Sequence, residues 1–143
     1  MSTMLSTTFT HLNEKWNAEP NAPEPKILVQ DDILDLEFYA NAFAYENFQE
    51  EDKILLRFYG CSKYRLGATN DEGWYLGQCR FSHIVPKWGE FYEIAGNLKL
   101  EECPKDWTYL KEKCGNKNFL FYFRDETFEC IANKFEFFHI KAT

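Results

Sequence analysis

Apolar and polar residues alternate most legibly over Ile54–Phe81, ILLRFYGCSKYRLGATNDEGWYLGQCRF, which predicts two long strands and the turn between them. Asn70-Asp71-Glu72-Gly73 has the composition of a type I turn. Asn at the first position accepts hydrogen bonds from its own backbone, and Gly at the fourth adopts positive φ without a Cβ clash. That loop sets Lys63 beside Arg80, Tyr64 beside Cys79 and Arg65 beside Gln78. Side chains alternate across a strand, so Tyr64, Leu66, Tyr75, Cys79 and Phe81 make a core face. Lys63, Arg65, Gln78 and Arg80 make the opposite, basic face, with Trp74 and Leu76 toward the turn. A loop at Thr69–Asp71 would put Cys61 opposite Cys79 and mix the cations with Tyr75 and Phe81. A one-residue slip reverses every side chain, and the segregation of charge favours the first register.

Elsewhere the pattern is shorter-ranged. Phe9, Leu12 and Trp16 stand at helical spacing after Thr7 and Thr8, which predicts a short N-terminal helix over 7–16. Ala18–Pro25 holds three of the five prolines and reads as a surface tether. Lys26–Gln30 reads as a short strand. In residues 31–41, Leu34, Leu36, Phe38 and Ala40 alternate with Asp35, Glu37, Tyr39 and Asn41, which is strand periodicity. The aromatic and acidic stretch 41–52 reads as an ordered loop, residues 88–95 as a strand, and Gly96-Asn97 as a turn. Pro104, Trp107, Leu110 and Cys114, with Gly115 beyond them, suit a second short helix. Residues 118–132 predict a hairpin around Asp125-Glu126, buried on both faces, and Phe135 to His139 a last strand.

These elements predict one domain over 1–143, with an N-terminal helix and Pro-rich tether in 1–25 and a β-rich core in 26–143. The fold class is α+β, mainly antiparallel β: a curved sheet or partly closed barrel around an aromatic core, with one or two short helices. Composition strengthens that reading, because Phe 14, Tyr 8 and Trp 4 favour strands and bury large areas.

Charge changes the picture further. The net charge is −7, yet residues 1–52 carry eleven carboxylates against Lys15 and Lys26, while 53–143 carry fourteen Lys and Arg against twelve carboxylates. The basic face therefore lies in an otherwise acidic chain. Lys63, Arg65, Trp74, Gln78 and Arg80 are the candidate binding residues. Strand arginines present a planar donor fork to a carboxylate or phosphate, and Trp adds stacking. An acidic protein surface or a small anionic ligand is the expected partner. A nucleic acid is not, because a pI near 5.0 opposes a polyanion.

Catalytic and metal chemistry find no support in the spacing. The five cysteines show no CxxC and no zinc-finger pairing with histidine, so no metal or other cofactor is expected. Cys79 and His83 lie roughly 13 Å apart along a strand, and Glu90 and Glu93 point to opposite faces. The opening MSTMLSTTFTHL has neither a basic n-region nor an apolar h-region, and no apolar run reaches the length of a membrane span. Reduced thiols in a cytoplasmic setting are expected. The predicted function is a non-enzymatic protein-interaction or inhibitor-type protein; the alternative is a β-barrel or minor enzyme that binds a small anion.

Overall fold

The computed structural model describes residues 8–68, 89–95, 107–110, 116–123 and 126–143. They form ten strands in two antiparallel sheets: β1 Thr8–His11, β2 Lys26–Gln30, β3 Ile33–Tyr39, β4 Lys53–Tyr59, β5 Lys63–Ala68, β6 Phe91–Ala95, β7 Thr108–Tyr109, β8 Lys117–Tyr122, β9 Glu126–Ala132 and β10 Lys134–Ile140. One sheet has the order β1-β6-β8-β9-β5-β7 and the other β10-β4-β3-β2. They do not close into a barrel, and no helix occurs among the described residues.

The sheets meet across an aromatic core. In β3 and β4, Leu34, Leu36, Phe38, Ile54, Leu56 and Phe58 point inward and are fully buried. Phe38 packs on Phe121 and Phe123 with ring centroids 4.8 and 5.2 Å apart. Phe58 meets Phe119 at 5.2 Å and Phe128 at 5.6 Å. Such pairs add roughly 0.5–1.5 kcal/mol each beyond burial. The 118–132 hairpin forms as the alternation predicts, with Phe121 opposite Phe128 and Phe119 opposite Cys130. Its other face is buried too, including Leu120 and Tyr122.

The N-terminal helix is overturned. Thr8–His11 is a strand, with Phe9 opposite Ile94 and His11 opposite Tyr92 of β6. Three apolar residues at helical spacing cannot outweigh a waiting sheet edge, because short helices draw their stability from tertiary packing. Trp16 still reaches the core, packing on Phe38 and Phe91 at 6.3 Å each. The helix predicted over 104–114 is likewise interrupted: Thr108 and Tyr109 pair with Tyr64 and Lys63. The rest of that segment, apart from Trp107 and Leu110, lies outside the described residues.

The predicted long strand from Ile54 breaks into β4 and β5, which belong to different sheets. Gly60 makes the break at φ 65°, in a left-handed conformation costly to other residues. A Cβ there would collide with the side chain of Asn133. The tether is not loose either. Its backbone is zipped to the end of β3, with Glu19 N donating to Tyr39 O and Tyr39 N to Pro23 O, both at 2.9 Å.

Candidate functional site

Of the predicted basic face, Lys63 and Arg65 lie among the described residues. Trp74, Gln78 and Arg80 lie outside the described residues, as does the Asn70–Gly73 turn. Lys63 and Arg65 are in β5, flanked by β9 and, at Lys63 and Tyr64, by β7. Both edges are therefore occupied there, and the predicted pairings of Lys63 with Arg80 and Tyr64 with Cys79 have no edge to form on. The alternation itself holds, since Tyr64 and Leu66 pack against the core. Arg65, however, is inside the protein. It stands opposite Glu129 of β9, with Nη1 3.4 Å from Oε2, and the two side chains are 0% and 2% exposed. The Lys63 ammonium lies over Trp107 at 4.5 Å and Tyr109 at 5.5 Å. The sequence marks the 118–132 hairpin as buried on both faces, but it does not show that β5 lies beside that hairpin and brings Arg65 under the same cover.

An acidic cleft at the other end of the molecule was not anticipated. It is an open hollow of about 270 Å³ between the tether and the 41–52 loop. Glu19, Glu24, Glu50 and Glu51 line it with Tyr39 and Phe43, over Ala40 and Ala42. A second hollow of about 350 Å³ adjoins it, sharing Tyr39 and Glu51 and running along Lys53 and Ile140 to Thr143.

The walls are held from several directions. Glu90, almost buried, accepts from Asn17 Nδ2 at 2.8 Å and contacts His11 Nε2 at 2.7 Å. Asn17 O in turn accepts from Asn41 N. The Glu19 carboxylate accepts from the backbone N–H groups of Asn21 and Ala22, which curls the tether. Asn41 Oδ1 accepts from Phe43 N and Ala44 N at 3.1 and 3.2 Å, an Asx turn that points Phe43 outward. Phe43 is 78% exposed. Glu24 and Glu51 sit at φ 48° and 73°, conformations uncommon outside glycine.

Asp52 locks the far side of the loop. It accepts from Gln49 N at 3.0 Å and Ala142 N at 2.8 Å, and contacts His139 Nε2 at 2.7 Å. The backbone bonds from Gln49 and Ala142, then His139, lower its pKa from 3.8 to about 2. A carboxyl depressed in the fold stabilises it above the unfolded value, and that contribution is lost as pH falls toward 2. Asp52→Asn is therefore expected to lower the thermal midpoint at neutral pH. The gap to the wild type should narrow between pH 4 and 2; a constant gap across that window contradicts the assignment.

The cleft is electrostatically unbalanced. Its own lining holds no cation; Lys53 and Lys141 line the adjoining hollow, and Lys53 is engaged by Glu37 at 3.3 Å and by the Tyr39 ring at 5.1 Å. The outer face of the four-stranded sheet, by contrast, neutralises itself. Arg57 makes a two-pronged bond to Asp35 at 2.8 and 2.9 Å, and Tyr59 OH donates to Glu136. Among the described residues no group of three or more His, Cys, Asp or Glu is placed to hold a metal ion. Cys61 and Cys130 are free, buried thiols. The structure thus defines a two-sheet antiparallel β protein with an acidic, aromatic-edged cleft. No protein-family model, curated protein or solved structure matches the chain.

Proposed function

We propose that this chain is a non-enzymatic interaction protein whose cleft receives an arginine or lysine side chain of a protein partner. One observation carries the reading: four carboxylates surround a hollow whose lining contains no cation, with Phe43 exposed at its rim. A guanidinium entering there gains charge-assisted hydrogen bonds from the glutamates and a cation–π contact from Tyr39 or Phe43. The volume suits a single long side chain, since small-molecule pockets run to about 300–1,000 Å³. The site belongs to the acidic part of the chain, and the basic face is not needed for it.

The test uses a short peptide amide carrying one arginine between alanines, titrated at low salt and followed by amide shifts. Saturable shifts confined to residues 19–24 and 39–51 are expected, weakening as salt is added. Glu50→Gln with Glu51→Gln should weaken binding about tenfold, and Phe43→Ala should weaken it without altering the thermal midpoint. Absence of saturable shifts, or equal binding of a peptide with glutamate in place of arginine, would refute the proposal.

A further inference from the structure

β2 is an edge strand, and no other strand among the described residues occupies its outer edge. Its one strand partner among the described residues is β3, reached through a two-residue turn at Asp31-Asp32, with Asp31 at φ 56°. The pair flanking a two-residue hairpin loop, Gln30 with Ile33, is of the hydrogen-bonded kind, and the kinds alternate along the ladder. Leu28 with Asp35 and Lys26 with Glu37 are therefore also hydrogen-bonded pairs. Tyr39 N, which bonds back to Pro23 O on the β2 side, fits this parity, and Ala40 N, which bonds to Asp52 O on the β4 side, fits it too. It follows that the N–H and C=O of Ile27 and Val29 face away from the sheet.

The strand also leaves Leu28 70% exposed. An edge with β-branched and aliphatic residues is a template for another strand. Its sequence, Lys-Ile-Leu-Val-Gln, has the same polar and apolar pattern in both directions about Leu28. We infer that β2 is the contact edge of a two-fold dimer, in which it pairs antiparallel with β2 of a second copy of this chain.

The register is dictated by the chain. A two-fold axis at Leu28 pairs Ile27 with Val29 of the second copy and the reverse, so both N–H and both C=O groups on each strand are satisfied. An axis at Ile27 would match Val29 with Pro25, which has no N–H to give. An axis at Val29 would match Ile27 with Asp31, inside the turn. With the axis at Leu28, the two leucines form a non-hydrogen-bonded pair, where side chains stand closest. Each Lys26 then faces Gln30, so no like charges are opposed within the contact. The interface is isologous, as two-fold dimers require, and joins the two four-stranded sheets into one of eight strands. It is independent of the acidic cleft.

The full chain is tested by sedimentation and by amide exchange across a dilution series. A concentration-dependent dimer is expected, with Ile27 and Val29 amides protected in the dimer and exposed on dilution. The Leu28 amide, bonded to β3, should stay protected throughout. Because each chain carries a net charge of −7, the dimer should tighten as salt is added. Leu28→Lys sets two like charges face to face and should give a monomer with an unchanged thermal midpoint. A wild-type monomer at the solubility limit overturns the inference, as does a dimer that survives Leu28→Lys or dissociates in salt. A chain that stays monomeric but pairs β2 with an added extended peptide equally overturns a second copy as the occupant.

Discussion

Arg65→Met is expected to lower the free energy of unfolding by about 3–5 kcal/mol, the usual cost of leaving one member of a buried ion pair without the other. The size follows from burial. The Arg65 and Glu129 side chains are 0% and 2% exposed and directly opposed across β5 and β9. Glu129→Leu alone should cost a similar amount, because it removes the carboxylate that faces the buried guanidinium. The double replacement, Arg65→Met with Glu129→Leu, should recover much of the loss, since an apolar pair of similar volume carries no desolvation penalty. Urea titration of the four proteins at low and high salt measures the cycle. The coupling should change little with salt, because buried charges are screened far less than exposed ones. A loss below about 0.5 kcal/mol, the norm for exposed positions, would show that Arg65 is solvated after all. No partner molecule is needed for any of these effects, which separates them from a binding role.

Phe58→Ala should be of comparable size, about 3–5 kcal/mol, and for a different reason. Phe58 is fully buried on β4 and touches rings from the facing sheet on β6, β8 and β9: Phe91 at 6.0 Å, Phe119 at 5.2 Å and Phe128 at 5.6 Å. Truncation removes the transfer energy of the ring and opens a cavity that stiff aromatic neighbours cannot collapse to fill. Phe58→Leu should cost less, because part of the volume is kept. Phe43→Ala is the counterpart, since that ring is 78% exposed and its removal leaves no cavity. A near-neutral Phe58→Ala would mean that the two sheets are not packed through this ring. Unfolding at equilibrium, with two probes to check two-state behaviour, decides it.

Local alternation is enough to specify much of this protein. Leu34, Leu36 and Phe38, or Phe119 and Phe121 against Phe128, state their faces within a few residues, because a strand has period two and one side must leave water. The strands at Lys26–Gln30 and Ile33–Tyr39, the 118–132 hairpin and the aromatic core all come from that signal. What alternation cannot express is which partner a strand takes. Thr8–His11 became a strand because β6 offers it an edge. Ile54 to Ala68 was divided between two sheets because Gly60 turns the chain where a pattern of period two continues unbroken. Arg65 reads as an outward cation until Glu129, sixty-four residues further on, is brought opposite it. The acidic cleft is the same case: Glu19, Glu24, Glu50 and Glu51 are ordinary surface residues in the sequence, scattered through the first third of the chain. They converge because the tether is hydrogen-bonded to the end of β3 and Asp52 pins the following loop. Each of these outcomes depends on contacts between residues far apart in the chain, and no local periodicity encodes such contacts.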